Sequence, residues 1–139
     1  MKTTFSLFIL LLFFWSEPKA QELRDSSGKL IGRFSGSDYR DASGKLLYRI
    51  SDVGTVRDAS GKLMLRISGH DFRNNSGRLI GRMKKNDVRD ASGVLLGRVK
   101  DNGDVRDASG KLLGRSRGNS KTQTAVLFFF MPEIKNYTR

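Results

Sequence analysis

The chain has 139 residues, a length that suits one domain, and its formal net charge at pH 7 is +12. It contains no cysteine and one histidine, which excludes disulfides, thiol chemistry and zinc sites built from several histidine or cysteine ligands. The positive charge favours acidic partners, such as nucleic acid, an anionic polysaccharide or an anionic membrane surface. The alternative is that the charge only keeps a small protein solvated.

Residues 1–20 have the composition of a secretory signal peptide. After an early lysine comes the apolar stretch Phe5–Trp15, and Ala20 is the last small residue before the polar chain. This stretch is too short for a membrane-spanning helix, which needs about 20 apolar residues. We expect cleavage after Ala20 and export to the periplasm, the cell surface or the medium. Because residues 1–20 hold two lysines and one glutamate, the mature chain from Gln21 keeps a net charge of +11.

A phrase of twelve residues occurs six times between Leu23 and Ser116. Its copies start 16 or 17 residues apart, a period that indicates a small unit copied and stacked, because one such unit cannot bury its own apolar face. The copies read LRDSSGKLIGRF, YRDASGKLLYRI, VRDASGKLMLRI, FRNNSGRLIGRM, VRDASGVLLGRV and VRDASGKLLGRS.

Each copy contains an Asp-x-Ser-Gly turn, except that the fourth copy has Asn-Asn-Ser-Gly. An aspartate side chain accepts from a backbone N–H two residues on, and the next residues suit a type I turn. The glycine then takes the left-handed conformation, where a residue with a Cβ would cost about 1 kcal/mol or more. We predict six tight chain reversals whose structural residues are Gly28, Gly44, Gly61, Gly77, Gly93 and Gly110.

Apolar residues with a period of two predict short strands between the turns. After the first turn, Leu30, Gly32 and Phe34 are expected to share one buried face, and the equivalent residues do so in the other units. The opposite face carries an arginine in every unit. A planar guanidinium recognises carboxylate, sulfate and phosphate in a forked geometry. The candidate anion-binding residues are therefore Arg33, Arg49, Arg66, Arg82, Arg98 and Arg115. The alternative is a framework role, in which each arginine pairs with a turn aspartate of a neighbouring unit.

Two strand registers are open at each turn. In the last unit, a bulged turn pairs Asp107 with Lys111 and places Arg106 opposite Leu112. A plain two-residue loop instead pairs Val105 with Leu112. The second register is preferred here, because burying apolar groups contributes more than an exposed ion pair, which is worth under about 1 kcal/mol.

Five polar links, rich in Gly, Asn, Asp and Ser, join the six copies. Each link connects the second strand of one unit to the first strand of the next, which gives five hairpins. With its repeated [Val/Tyr/Phe]-Arg-Asp-x-Ser-Gly-x-Leu-[Leu/Ile]-Gly-Arg units over Leu23–Arg115, the chain resembles the five-fold β-flower proteins. The resemblance implies a small exported domain of five radially arranged hairpins. It carries over no catalytic or binding residues.

The repeat ends at Arg115, and the polar residues 116–124 are expected to form a linker. The apolar segment Ala125–Met131 then predicts a buried strand that plugs or caps the repeat assembly, with an exposed interaction surface as the alternative. Residues 132–139 are expected to fray. The predicted fold is all-β: a radial repeat of about five short hairpins, built from six units of 16–17 residues over residues 21–131, with a C-terminal apolar closing strand.

Little in the sequence points to catalysis. His70 lies in a link without a partner serine motif, which is typical of a solvated loop residue. Asp101 and Asp104 are candidate paired carboxylates, but their segment lacks the alternating ligands and terminal glutamate of a calcium loop. We therefore expect no enzymatic activity, no cofactor and no metal site.

Two functions are left open. One is an exported module that binds an anionic partner, such as an acidic glycan, a lipid headgroup or an acidic protein. The other is a structural, envelope-associated domain whose basic residues serve folding alone. Specific nucleic-acid binding is not expected, because the aromatic residues on which bases would stack are sparse within the repeats.

Overall fold

The computed structural model describes residues 21–51 and 54–131. Within them, twelve antiparallel strands form one closed barrel, in which neighbours in the chain pair and the first strand pairs with the last. The predicted signal peptide and the predicted frayed tail lie outside the described residues. The strands are β1 (Gln21–Asp25), β2 (Leu30–Ser35), β3 (Asp38–Asp41), β4 (Leu46–Ile50), β5 (Gly54–Asp58), β6 (Leu63–Ser68), β7 (Asp71–Asn74), β8 (Leu79–Lys84), β9 (Asp87–Asp90), β10 (Leu95–Val99), β11 (Asp104–Asp107) and β12 (Leu112–Ser116).

Each copy of the repeat supplies one strand before its turn and one strand after it. The five predicted link hairpins are present, from β2–β3 to β10–β11. The chain ends add a sixth, equivalent pair: in β1–β12, Arg24 faces Arg115, as Arg33 faces Arg40 in β2–β3. The predicted all-β radial repeat is confirmed, and the sixth pair leaves none of the described strands with a free edge that could recruit another chain.

The strand register preferred from the sequence is wrong. Arg106 pairs with Leu112 and Val105 with Gly114, so that Leu113 is an extra, bulged residue. The Asp107 N–H donates to the Lys111 carbonyl at 2.9 Å, which belongs to the bulged alternative. The same shift occurs in all six units. The local hydrogen bonds of the turn favour this register, and it sacrifices no apolar burial, because the bulged residue itself turns inward.

The bulge also moves the first leucine of each unit off the buried face. A one-residue offset exchanges the two faces of a strand, so the expectation that Leu30 and its equivalents share a face with Gly32 and Phe34 is wrong. The first leucines are half-buried and lie outside the core cluster. The residues that pack into the core in their place are Ile31, Leu47, Met64, Ile80, Leu96 and Leu113.

The apolar segment after the repeat is helical, so the predicted closing strand is wrong. An α-helix, α1 (Lys121–Ala125), continues directly into a π-helical turn over Val126–Phe130. The predicted linker is correspondingly shorter, because β12 extends to Ser116 and α1 begins at Lys121. A closed barrel offers no free edge to a further strand, whereas a helix satisfies its own backbone hydrogen bonds inside the apolar interior. None of the described residues forms a helix long and apolar enough to cross a membrane.

The helical segment fills the barrel, as expected of a plug. Residues Ala125 to Phe129 are buried, and the Gln123 side-chain amide donates to the Ile50 carbonyl at 2.6 Å. Ser120 caps the start of α1 by accepting from the Gln123 N–H at 3.3 Å. The bond to Ile50 fixes the helix to the barrel wall at the end where the links lie.

The barrel interior is lined by six equivalent positions, one in each even-numbered strand. At each position a large side chain fills the space, and it belongs either to that residue or to another part of the chain. Tyr48 and Leu65 provide this bulk themselves and are buried. The other four positions are glycines, where a Cβ would collide both with a backbone carbonyl oxygen of the adjacent strand and with a ring supplied from elsewhere. The rings are Tyr39 at Gly32, Phe130 at Gly81, Phe129 at Gly97 and Phe128 at Gly114. The glycines of the last three units therefore make room for the three phenylalanines of the plug.

Candidate functional site

The turn aspartates are fully used within their own turns. Asp107 Oδ1 accepts from the Ser109 N–H at 2.9 Å, the Ser109 hydroxyl at 2.7 Å and the Lys111 N–H at 2.9 Å. The Ser109 hydroxyl is the largest cause that holds the pKa of Asp107 below its usual 3.8. Serine hydroxyls likewise lower the pKa of Asp25, Asp41, Asp58 and Asp90. Asn74 makes the same three bonds in the fourth unit.

The six predicted turn glycines have φ between +88° and +92°. A Cβ at any of them would meet nothing within 4 Å. The requirement for glycine at these positions is therefore conformational and not one of space. The six positions are Gly28, Gly44, Gly61, Gly77, Gly93 and Gly110.

The outer surface of the barrel carries a closed band of arginines, which we call the arginine belt. It contains the six candidate arginines and six more that precede the turns. Each candidate arginine directly faces a pre-turn arginine of the next unit, and Arg115 faces Arg24 across the closing pair. These arginine pairs are 33–40, 49–57, 66–73, 82–89, 98–106 and 115–24.

The pre-turn arginines are bound to the turns. Arg106 Nη1 donates to the Gly110 carbonyl at 2.9 Å, which satisfies an oxygen that the left-handed turn leaves pointing outward. The other five units repeat this bond at 2.9–3.1 Å. The pre-turn half of the belt therefore has a structural role, through bonds to the turn carbonyls that the sequence did not predict.

A carboxylate lies between the two arginines of most units. In the fourth unit, Asp71 Oδ1 is 3.0 Å from Nε of Arg82, and Asp71 Oδ2 is 3.5 Å from Nη2 of Arg73. The framework alternative thus has the wrong partners: the arginines pair with strand acids and not with turn aspartates. Glu22, bound most strongly by Arg24, has a lowered pKa. The bridging carboxylates are Glu22, Asp38, Asp71, Asp87 and Asp104.

The third unit has no such carboxylate among the described residues. Thr55 occupies the position and faces Arg66 across the hairpin. Arg57 keeps its bond to the Gly61 carbonyl at 2.9 Å, while Arg66 makes no hydrogen bond or ion pair with any described residue. Twelve belt arginines face five bridging carboxylates in the part of the chain that the structure describes, so seven positive charges are in excess.

The sequence contains a signal that predicts the bridging acids of the arginine belt as well as its arginines. Each bridging acid stands two residues before a pre-turn arginine, which places both side chains on one face of the strand. The polar links predicted from the sequence ended with these acids, for example Asp38 and Asp71, whereas the structure places them at the start of strands. The signal that marks the unusual third unit is the threonine at that same position.

The other candidate residues do not assemble into a reactive site. His70 is an exposed turn residue. Asp104 is bound by Arg106 and Arg115, and Asp101 pairs with Lys121. No group of three or more potential metal ligands occurs within residues 21–51 and 54–131. A cleft of about 480 Å³ near Asp101 and Lys121 is open to solvent and formed largely by loop residues.

The family of 5-fold beta-flower proteins has a model that matches residues 20–132. The chain belongs to the 5-fold beta-flower family. The matched range covers the whole barrel and its helical plug, so the family assignment and the repeat geometry describe the same part of the chain. No curated protein matches it, and no solved structure does.

Proposed function

We propose that this beta-flower protein is an exported, non-enzymatic binding module whose arginine belt holds a linear polyanion, such as an acidic glycan, an array of lipid headgroups or an acidic protein. The observation that supports this most is that, among the described residues, the belt holds seven more arginines than bridging carboxylates and forms one closed band on the outer surface. The proposal of export rests on the composition of residues 1–20.

The belt suits an extended ligand better than a small one. Its arginines are spread over all six units, and their side chains stay exposed, for example 57% for Arg49 and 59% for Arg82. Each unit offers a planar donor fork of the kind that recognises carboxylate, sulfate or phosphate. Binding spread over several such forks is multivalent and strongly dependent on salt.

The second candidate function is structural: an envelope-associated domain whose basic residues serve folding. Its support is the bond from each pre-turn arginine to a turn glycine carbonyl, found in every unit. The two candidate functions make different predictions for the two halves of the belt, since only the pre-turn half carries these bonds.

The test compares two triple variants of the mature protein on a heparin column and in thermal unfolding. Changing Arg66, Arg82 and Arg98 to glutamine should nearly abolish retention while leaving the protein folded. The matched control changes three pre-turn arginines, Arg57, Arg73 and Arg89, and should lower the unfolding temperature more. If the wild type is not retained at low salt, or if the first triple variant fails to fold, the binding proposal is wrong and the structural function is preferred.

A further inference from the structure

The belt itself shows which chemical group fits between its arginines. In the units of Asp38, Asp71, Asp87 and Asp104, Oδ1 contacts Nε of the arginine after the turn, at 2.9–3.4 Å. In each of them Oδ2 contacts Nη2 of the pre-turn arginine, at 3.5–4.0 Å. One planar carboxylate thus bridges two guanidinium groups, and the arrangement recurs with little variation.

The third unit has the same two arginines, and among the described residues no carboxylate lies between them. Thr55, Arg57 and Arg66 form what we call the open sector. On one side of this sector Arg49 faces Arg57, and on the other side Arg73 faces Arg66. Arg49 and Arg73 contact the carboxylates of Asp38 and Asp71, which lie away from the sector. Four consecutive belt arginines therefore stand in a row with no carboxylate among the described residues between the middle two.

Like charges that face each other across antiparallel strands destabilise a sheet, and charge-assisted hydrogen bonds to a carboxylate offset this cost in the other units. The open sector lacks that compensation from within the described chain. We propose that the open sector is a specific binding site for an aspartate or glutamate side chain of an acidic polypeptide partner. The inference rests on the proposed function, because it assigns one position on the belt a defined ligand.

The first test fills the sector from within. Thr55→Asp introduces the residue that four other units carry at this position, so the variant should fold and should not unfold at a lower temperature than the wild type. Binding of a capped hexaglutamate peptide, measured by isothermal titration calorimetry, should weaken about tenfold, because an internal carboxylate then takes the site. Thr55→Asn, which adds no charge, should bind the peptide as the wild type does.

The second test removes one arginine at a time. Arg66→Gln should weaken hexaglutamate binding about tenfold, whereas Arg98→Gln, an equal change in charge at a site that Asp87 already occupies, should weaken it less than about twofold. At about 0.1 M salt the Debye length is about 10 Å, so charges on distant units contribute little to the comparison. Equal effects of the two substitutions would overturn the proposed site.

The third test creates a second site. Asp87→Asn should release Arg89 and Arg98 and raise the stoichiometry of hexaglutamate from one to two. Asp90→Asn is the control of equal charge, because Asn74 shows that an amide preserves the turn, and its stoichiometry should stay at one. An unchanged stoichiometry in Asp87→Asn would overturn the inference.

The outcomes separate this inference from the proposed function. If Thr55→Asp binds the peptide normally while the triple variant of Arg66, Arg82 and Arg98 loses heparin, the belt binds polyanions and the open sector is not special. Hexagalacturonate is the test for an acidic glycan. If it binds the wild type, binds Thr55→Asp about tenfold more weakly, and hexaglutamate does not bind, the ligand is an acidic glycan and the assignment to a polypeptide is wrong. If the wild type binds no polyanion at all, the proposed function itself fails.

Discussion

Gly81→Ala tests whether the helical plug is fitted to the barrel through side chains that its strands lack. A Cβ at residue 81 would stand 2.8 Å from Cε1 of Phe130 and 2.7 Å from the Arg89 carbonyl oxygen. Cζ of Phe130 would lie closer still, and ordinary contacts of a Cβ begin at 3.4 Å, so the ring must withdraw by about 1 Å. Overpacking of this kind costs about 1–3 kcal/mol.

Phe130→Ala should cost about 3 kcal/mol, the lower end of the range for a large aromatic residue in a core, because Phe130 is only partly buried. Part of this cost is the loss of its contact with the Phe72 ring, whose centroid lies 5.1 Å away. Both single variants are measured by urea unfolding of the mature chain, followed by far-UV circular dichroism.

The double variant decides the question. Without the ring, the Cβ at residue 81 meets the Arg89 carbonyl as its main neighbour, and Tyr48 and Leu65 show that a Cβ is accommodated at this position of the repeat. The combined loss should therefore fall short of the sum of the single losses by about 1 kcal/mol or more. Losses that simply add would refute the reasoning, because the barrel wall and not the plug would then require glycine.

Three further predictions concern the turns and links. Acid should destabilise the protein below about pH 4, because the folded state lowers the pKa of five turn aspartates. The stabilisation that this lowering provides is lost as the pH falls through the lowered pKa. A variant with all five aspartates changed to asparagine should have a melting temperature that depends less on pH. Lys85→Gly should raise stability by about 1 kcal/mol in urea unfolding, because Lys85 has φ of +55° where Gly36 and Gly69 stand in equivalent links. Gly110→Val should cost at least about 1–2 kcal/mol, and Lys111→Val much less; equal melting temperatures would contradict this.

The repeat made the architecture predictable from the sequence. Every unit contains the same turn chemistry, and a strand that follows a tight turn must pair with the strand before it. The insertions that lengthen the spacing from 16 to 17 residues fall in the links. This further indicated that the strands have a constant length. The period therefore predicted the hairpins, although their register and the way the ends meet depend on finer details.

The register could not be derived by weighing an ion pair against apolar burial. The deciding interactions were the three hydrogen bonds that one aspartate oxygen accepts inside its own turn, for example Asp25 with Ser27 and Lys29. These bonds favour the bulge, and the bulge supplies Ile31 to the core in place of Leu30. The apolar argument therefore left out the inward packing of the bulged residue.

The plug was misassigned for a different reason. Seven apolar residues rich in phenylalanine are compatible with a strand or a helix, and periodicity does not distinguish the two over so short a run. The information that decides it lies elsewhere in the chain, in the glycines at residues 81, 97 and 114 that leave room for the three rings. Only the closed barrel shows that these distant positions belong together.

Folding and the candidate binding surface are linked by the closing strand pair. Arg24 and Arg115 become neighbours only when β1 pairs with β12, so the belt is complete only in the closed barrel. The plug helps to hold that closure, because Phe128 lies against Gly114 on the last strand, and the Thr124 hydroxyl is 2.9 Å from that of Ser116. Six facing arginine pairs repel one another, and five bridging carboxylates relieve this within the described residues. Arg57 and Arg66 of the unit with Thr55 each face an arginine and have no bridging carboxylate among the described residues. An external carboxylate at that position would stabilise the fold and be bound by it in the same step.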